Sequence, residues 1–347
     1  VVVDDLLPVR SDGRLLCSAS TDKTELWVSI IEKAYLKVNG GYDFPGSNSG
    51  IDLFALTGWV PEQIFFEEHR RQKSSPRGSM LMQPLDNYQP AERVWERLLS
   101  AHNFGDCLIT VATGEIDEDE AEGLGLVPSH AYAVLGVKEF DGERLLKARA
   151  NPWSRKRWRG PYSVEDTARW TPEARAALEY NLESARLQDN GVFWIDYPSI
   201  CRYFSNVFMN WNPILFKYRY TMHSCWPVGV GPKIDKYNLG YNPQMSLVVQ
   251  YAASEDADMR GGNDSGGRNQ AGATPIAPSK ASPTVWVQLS RHVTEVEGDE
   301  TAGDYLTMHV YDKTGGKRVH YPDVPMYKGI YTNNPHTLIR WTSRCLM

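Results

Sequence analysis

Residues 129–151 read S-H-A-Y-A-V-L-G-V-K-E-F-D-G-E-R-L-L-K-A-R-A-N. Two strand-like runs, A-Y-A-V-L-G-V and R-L-L-K-A-R-A, flank Asp141-Gly142, a dipeptide suited to a two-residue hairpin turn. The spacing predicts an antiparallel hairpin with His130 at the mouth of its first strand and Asn151 at the end of its second. Antiparallel pairing brings the start of one strand beside the end of the next, so the two side chains should be neighbours at one sheet edge. An asparagine carboxamide beside an imidazole can fix its tautomer and hold the ring toward a nucleophile. Trp153, two residues further on, could shield that hydrogen bond from water. A lone histidine at a strand mouth is more often a surface residue; its pairing with N-P-W is what points to a Cys-His-Asn site.

Upstream of the hairpin, Val1 to Val9 reads as a strand, and S-D-G at 11–13 as a turn into a second strand, R-L-L-C. Asp22-Lys-Thr-Glu25 has capping-box spacing, and the apolar residues Trp27, Ile30, Ile31, Ala34, Tyr35 and Val38 predict a helix that ends at Gly40-Gly41. A glycine-rich loop, a short apolar helix and another loop follow, then an amphipathic helix over 91–100 and the strand C-L-I-T-V-A-T. The acidic stretch Glu115 to Glu122 reads as a solvated loop. G-V-F-W-I-D at 191–196 predicts a further strand, with a short helix from Tyr197 to Phe204. Helices followed by an antiparallel sheet make residues 1–210 an α+β domain.

From residue 211 the texture changes. N-P-Q-M-S-L-V-V-Q-Y, T-V-W-V-Q-L-S-R and Y-L-T-M-H-V-Y-D alternate with period two, so 211–347 reads as a β-sandwich. Residues 254–283 are polar and rich in Gly, Ser, Pro and Ala, and read as a disordered insert.

Composition narrows the classes. The 347 residues carry a net charge of −6, against a nucleic-acid partner. No apolar run is long enough to span a membrane, and the start lacks the pattern of a signal peptide. Five widely spaced cysteines without a C-x-x-C pair fit reduced thiols and a cytoplasmic location. Both ends read as cut edges of a longer chain. The loop at 40–50 lacks the ending of a phosphate cradle and could border a substrate cleft. The basic run Arg155, Lys156, Arg157, Arg159 reads as a solvated turn.

The stretches G-L-V-P-S-H-A-Y-A-V-L-G-V, A-N-P-W-S-R-K-R-W-R-G-P-Y-S and D-N-G-V-F-W-I-D-Y-P-S-I-C-R-Y-F resemble the second half of the catalytic core of calpains, as do D-D-L-L-P-V, G-Y-D-F-P-G-S-N-S and T-G-W-V-P-E. N-P-W-S and the glycine-rich loop are most similar to the PalB-type branch, which lacks EF-hands. The resemblance implies the His/Asn half of a papain-like core, followed by an incomplete calpain-type β-sandwich. It implies a cysteine endopeptidase acting on proteins or peptides, with His130 as general base, Asn151 as its orienting partner and Trp153 beside them. It also implies adaptor proteins that meet the sandwich.

Two departures stand out. The family's nucleophile lies at the start of a helix upstream of everything here. Cys107, in F-G-D-C-L-I-T-V, echoes that motif but sits in a strand-like run, with no helix N-terminus to lower its pKa. No nucleophile is therefore assigned within this chain. The places of the family's calcium ligands in this half-core hold Arg157, Val164, Asn190 and Val192, with only Asp189 adjacent, so neither a metal nor another cofactor is expected. The alternative reading is a catalytically inactive calpain-like interaction module.

Overall fold

The computed structural model describes residues 1–20, 22–44, 46, 48–66, 88–149, 157–187, 191–226, 229, 238–249, 284–291, 305–312, 315–321, 323–329, 331–332 and 336–342. The chain divides into two compact units. The first holds Val1–Tyr218 with Leu289–Thr307 and Ile330–Leu338; the second holds Arg219–Gln288 with Met308–Gly329 and Ile339–Met347.

The first unit is built on seven strands, an α+β arrangement as the sequence predicts. They are β1 (Val60–Phe66), β2 (Tyr88–Gln89), β3 (Cys107–Thr113), β4 (Ala131–Phe140), β5 (Glu143–Arg149), β6 (Val192–Asp196) and β7 (Phe204–Trp211). Their order is β2-β1-β7-β3-β4-β5-β6, and among the described residues of this sheet only the β1–β2 pair is parallel. The Asp141-Gly142 hairpin forms as expected: both residues have positive φ, +49° and +78°, and Phe140 pairs with Glu143. Leu135 is an extra residue in β4, because Val134 pairs with Ala148 while Gly136 pairs with Lys147.

Helices cover the sheet. Of these, α1 (Trp27–Val38) and α2 (Ser49–Thr57) precede β1, and α3 (Ala91–Phe104) follows β2. The acidic stretch is not a loop but contains α4 (Glu118–Leu124). The Asp117 carboxylate accepts from the N–H groups of Asp119 and Glu120, and three acidic residues fill the first turn, where the helix dipole favours them. After β5 come α5 (Pro172–Ala177), α6 (Leu182–Leu187) and α7 (Tyr197–Tyr203).

Val94, Trp95, Leu98 and Ala101 recur at helical spacing on α3 and are buried with Ile64, Ile109, Val111, Val207 and Met209. Each large apolar side chain removed from water stabilises the fold by roughly 1.5–3 kcal/mol. Arg97 of the same helix pairs with Glu62, which also accepts from the Trp211 indole at 2.8 Å. Asn210 is fully buried in β7, and its amide donates to the carbonyls of Gly50 (2.9 Å) and Trp59 (3.2 Å). That bond seats the start of α2, where a Cβ on Gly50 would lie 2.9 Å from the Phe208 ring. A second cluster includes Leu145, Tyr162, Trp170, Leu178, Tyr180 and Trp194. Trp158 and Trp170 are both core residues, with indoles bonded to the carbonyls of Pro161 and Ser163.

Several expectations are corrected. Val1–Val9 and R-L-L-C form no strands, only a single bridge between Val9 and Leu15. The capping box does not form: Asp22 instead accepts from the backbone and hydroxyl of Thr24, and α1 starts later, with no side-chain cap. Residues 243–249 form no strand.

The described strands of the later region are β8 (Thr284–Ser290), β9 (His309–Val310), β10 (Tyr327–Lys328) and β11 (His336–Thr342), which form two small sheets, β8–β11 and β9–β10. These are compatible with a β-sandwich. In the second unit the Gln244 amide bridges Leu239 and Val319, and Arg318 donates to the carbonyls of Gly240 and Asn242. The insert at 254–283 lies outside the described residues.

Candidate active site

Strand β3 ends at Thr113, and β4 opens beside it. Thr113 N–H donates to the His130 carbonyl at 3.0 Å, and His130 N–H donates to the Thr113 hydroxyl at 3.0 Å. Ser129, just before, has φ +48° and donates its N–H to the Gly114 carbonyl. The His130 imidazole is half-buried and stands edge-to-face against the Tyr132 ring, with centroids 5.4 Å apart and planes at 85°. Tyr132 is buried and makes edge contacts with Phe193 and Phe204. Burial pushes the His130 imidazole below the ordinary histidine value, because the charged form loses hydration. Among the described residues no side chain hydrogen-bonds to its ring nitrogens. An imidazole so held is neutral near pH 7 and can accept a proton.

The hairpin brings the end of β5 to this place, where Arg149 pairs with Ala133 and Ala148 with Val134. Asn151 and Trp153 lie outside the described residues, as do Arg155 and Lys156. Arg157 resumes the described chain, and Arg159 N–H donates to the Leu124 carbonyl at the end of α4. Gly125, at φ +72°, caps that helix so close to the Arg157 carbonyl that a Cβ would lie 1.7 Å from its oxygen. The segment after the asparagine motif is thus pinned to the helix before the histidine.

Cys107 is the first residue of β3, and His130 sits beside the last. Six residues of strand separate these ends by roughly 20 Å. Burial pushes the Cys107 thiol well above the ordinary cysteine range, and the Glu62 carboxylate adds to this. Burial and Glu32 likewise push the Cys17 thiol up. Neither environment favours a thiolate. Cys201 is half-buried on α7, Cys225 is exposed, and Cys345 lies outside the described residues.

At the expected calcium positions, Val164 packs against the second cluster, and Arg186 donates to its carbonyl at 3.3 Å. Asp189 and Asn190 lie outside the described residues, and Val192 opens β6. Among the described residues no helix is long and apolar enough to cross a membrane.

Sequence reading missed Thr113 and Tyr132 as companions of His130. The signal was available in H-A-Y, where residues two apart share a strand face, and in a threonine closing the neighbouring strand.

Residues 1–210 match the family model described as calpain family cysteine protease. Over 98% of its length the chain is 44% identical to Calpain-7 of Mus musculus, covering 36% of that protein, and 43% identical to Calpain-7 of Homo sapiens, covering 36%. It is 31% identical to the calpain-like protease palB/RIM13 of Aspergillus oryzae over 98% of the chain and 34% of that protein. The chain therefore spans about a third of the length of the curated relatives it matches. With the family model covering residues 1–210, which hold all of the seven-stranded sheet but the last residue of β7, the chain belongs to the calpain family of cysteine proteases.

Proposed function

We propose that this chain supplies the His/Asn half of a cysteine endopeptidase acting on protein or peptide substrates, and that the attacking thiolate comes from outside its 347 residues. In this reading residues 1–210 are protease core and 211–347 form a sandwich that meets adaptor proteins, in a cytoplasmic protein. The observation that carries it is His130: a half-buried imidazole with a fixed backbone at the mouth of β4, whose ring nitrogens meet no described side chain. The separation of Cys107 from it by a full strand supports an external thiol.

The steps follow from acid–base chemistry. His130 takes the thiol proton, and the thiolate adds to the scissile carbonyl. The imidazolium returns that proton to the leaving amine as the C–N bond breaks. His130 then deprotonates a water that attacks the thioester, and the thiol is restored. Asn151 holds the ring's other nitrogen through these steps, and Trp153 keeps water from that bond. In the longer protein, His130→Ala should lower kcat/KM on a peptide substrate by about 10³–10⁴-fold, and Asn151→Ala by about 10²-fold. Full activity with His130→Ala would reject the base assignment. A longer protein with no thiol-dependent cleavage at all would favour an interaction module.

We further propose that this half-core holds no Ca²⁺ at the family's usual place. Val164 offers no side-chain oxygen, and its carbonyl already accepts from a guanidinium, which repels a cation. Millimolar Ca²⁺ should leave the melting temperature of the chain unchanged; a rise of several degrees would contradict this.

A further inference from the structure

An antiparallel pair that ran on regularly past Thr113 would offer the His130 N–H a backbone carbonyl. It meets the Thr113 hydroxyl instead, at 3.0 Å. That hydroxyl in turn donates to the Val127 carbonyl at 2.7 Å, with the His130 carbonyl 3.1 Å away. Val127 N–H donates to the Tyr132 phenol oxygen at 2.9 Å. One hydroxyl and one phenol therefore fasten both ends of Val127–His130. Ser129, within this segment, is held at a positive φ that a non-glycine residue keeps only where the surroundings fix it. The pairing of β3 with β7 also shifts register between Ala112 and Thr113, which turns the threonine out of the regular ladder. Thr113 is 4% exposed and Tyr132 1% exposed, so neither can reach a substrate.

We infer that Thr113 is a positioning residue for His130: its hydroxyl fixes the strand mouth so that the imidazole stands against the Tyr132 ring. The inference rests on the reading of His130 as the base and deepens it. The depressed proton affinity of His130 agrees with a ring kept in this half-buried place.

The test uses the 347-residue chain labelled with ¹³C at histidine Cε1, with His130 assigned from the signal lost in His130→Gln. In wild type the His130 midpoint should fall below the ordinary value of about 6.5, with a cross-peak between its ring protons and those of Tyr132. Thr113→Val keeps the shape and removes the hydroxyl. It should move the midpoint toward the ordinary value and abolish the cross-peak, while Thr113→Ser restores both. A folded Thr113→Val chain with wild-type midpoint and cross-peak would overturn the inference, as would a wild-type chain lacking the cross-peak. Should Thr113→Val not fold, Thr113→Ser decides: wild-type behaviour upholds the role of the hydroxyl, and a displaced midpoint overturns it. None of these readouts needs a thiolate or a substrate. Failure of His130→Ala to affect proteolysis would reject the base assignment and leave this result standing.

Discussion

His130 and Cys107 carry opposite lessons from the same physical cause. Burial withholds water from the charged form of each, so the imidazole is pushed down and the thiol is pushed up. A neutral imidazole is a ready proton acceptor, and an approaching thiolate would raise its proton affinity at the moment a proton must be held. A neutral thiol, by contrast, is a poor nucleophile. Cys107 should accordingly react with iodoacetamide at pH 8 at least about 10²-fold more slowly than the exposed Cys225 in the native chain, as read by peptide mass spectrometry. Equal rates would place Cys107 in a reactive environment and reopen its candidacy.

At the scale of the element, the hairpin and the strands beside it, β3 and β6, were legible, whereas β1 and β7 were not. Asp141-Gly142 demanded two positive φ angles that few other dipeptides accept, so β4 and β5 could be read directly from the sequence. β7, which lies between β1 and β3, escaped because Asn206 and Asn210 break its alternation. Asn210 is buried there only because α2 and the start of β1 present carbonyls to its amide, a tertiary bond that no local pattern announces. β1 was hidden in the same way: Pro61 and Glu62 argue for a loop until Arg97 and Trp211 engage the carboxylate. Within the candidate site, the place of His130 at a strand mouth was legible from spacing, whereas its bond to the Thr113 hydroxyl depends on an irregular strand end.

Gly125 ties two elements of the site together and can be tested alone. An alanine there would meet the Arg157 carbonyl and would also need a positive φ. Gly125→Ala should destabilise the chain by at least about 2 kcal/mol in denaturant unfolding, against about 1 kcal/mol expected from the backbone angle alone. A cost no larger than the latter would mean that α4 does not pin the segment leaving β5.

For the whole molecule, the sheet of the first unit is decisive, because one end of β3 adjoins His130, the proposed base, and the opposite end holds Cys107, the thiol whose sequence context echoes the family's nucleophile. The distance between those ends is set by the length of β3 and cannot be closed without unfolding it. The family match covers residues 1–210 of this unit, while the relatives run to nearly three times the length of this chain. The central claim is that His130 serves a sulfur these residues do not contain. Incubating the purified 347-residue chain with casein tests it most directly. The account expects no cleavage above that of buffer alone; cleavage that disappears in both the His130→Ala and Cys107→Ser variants would contradict it.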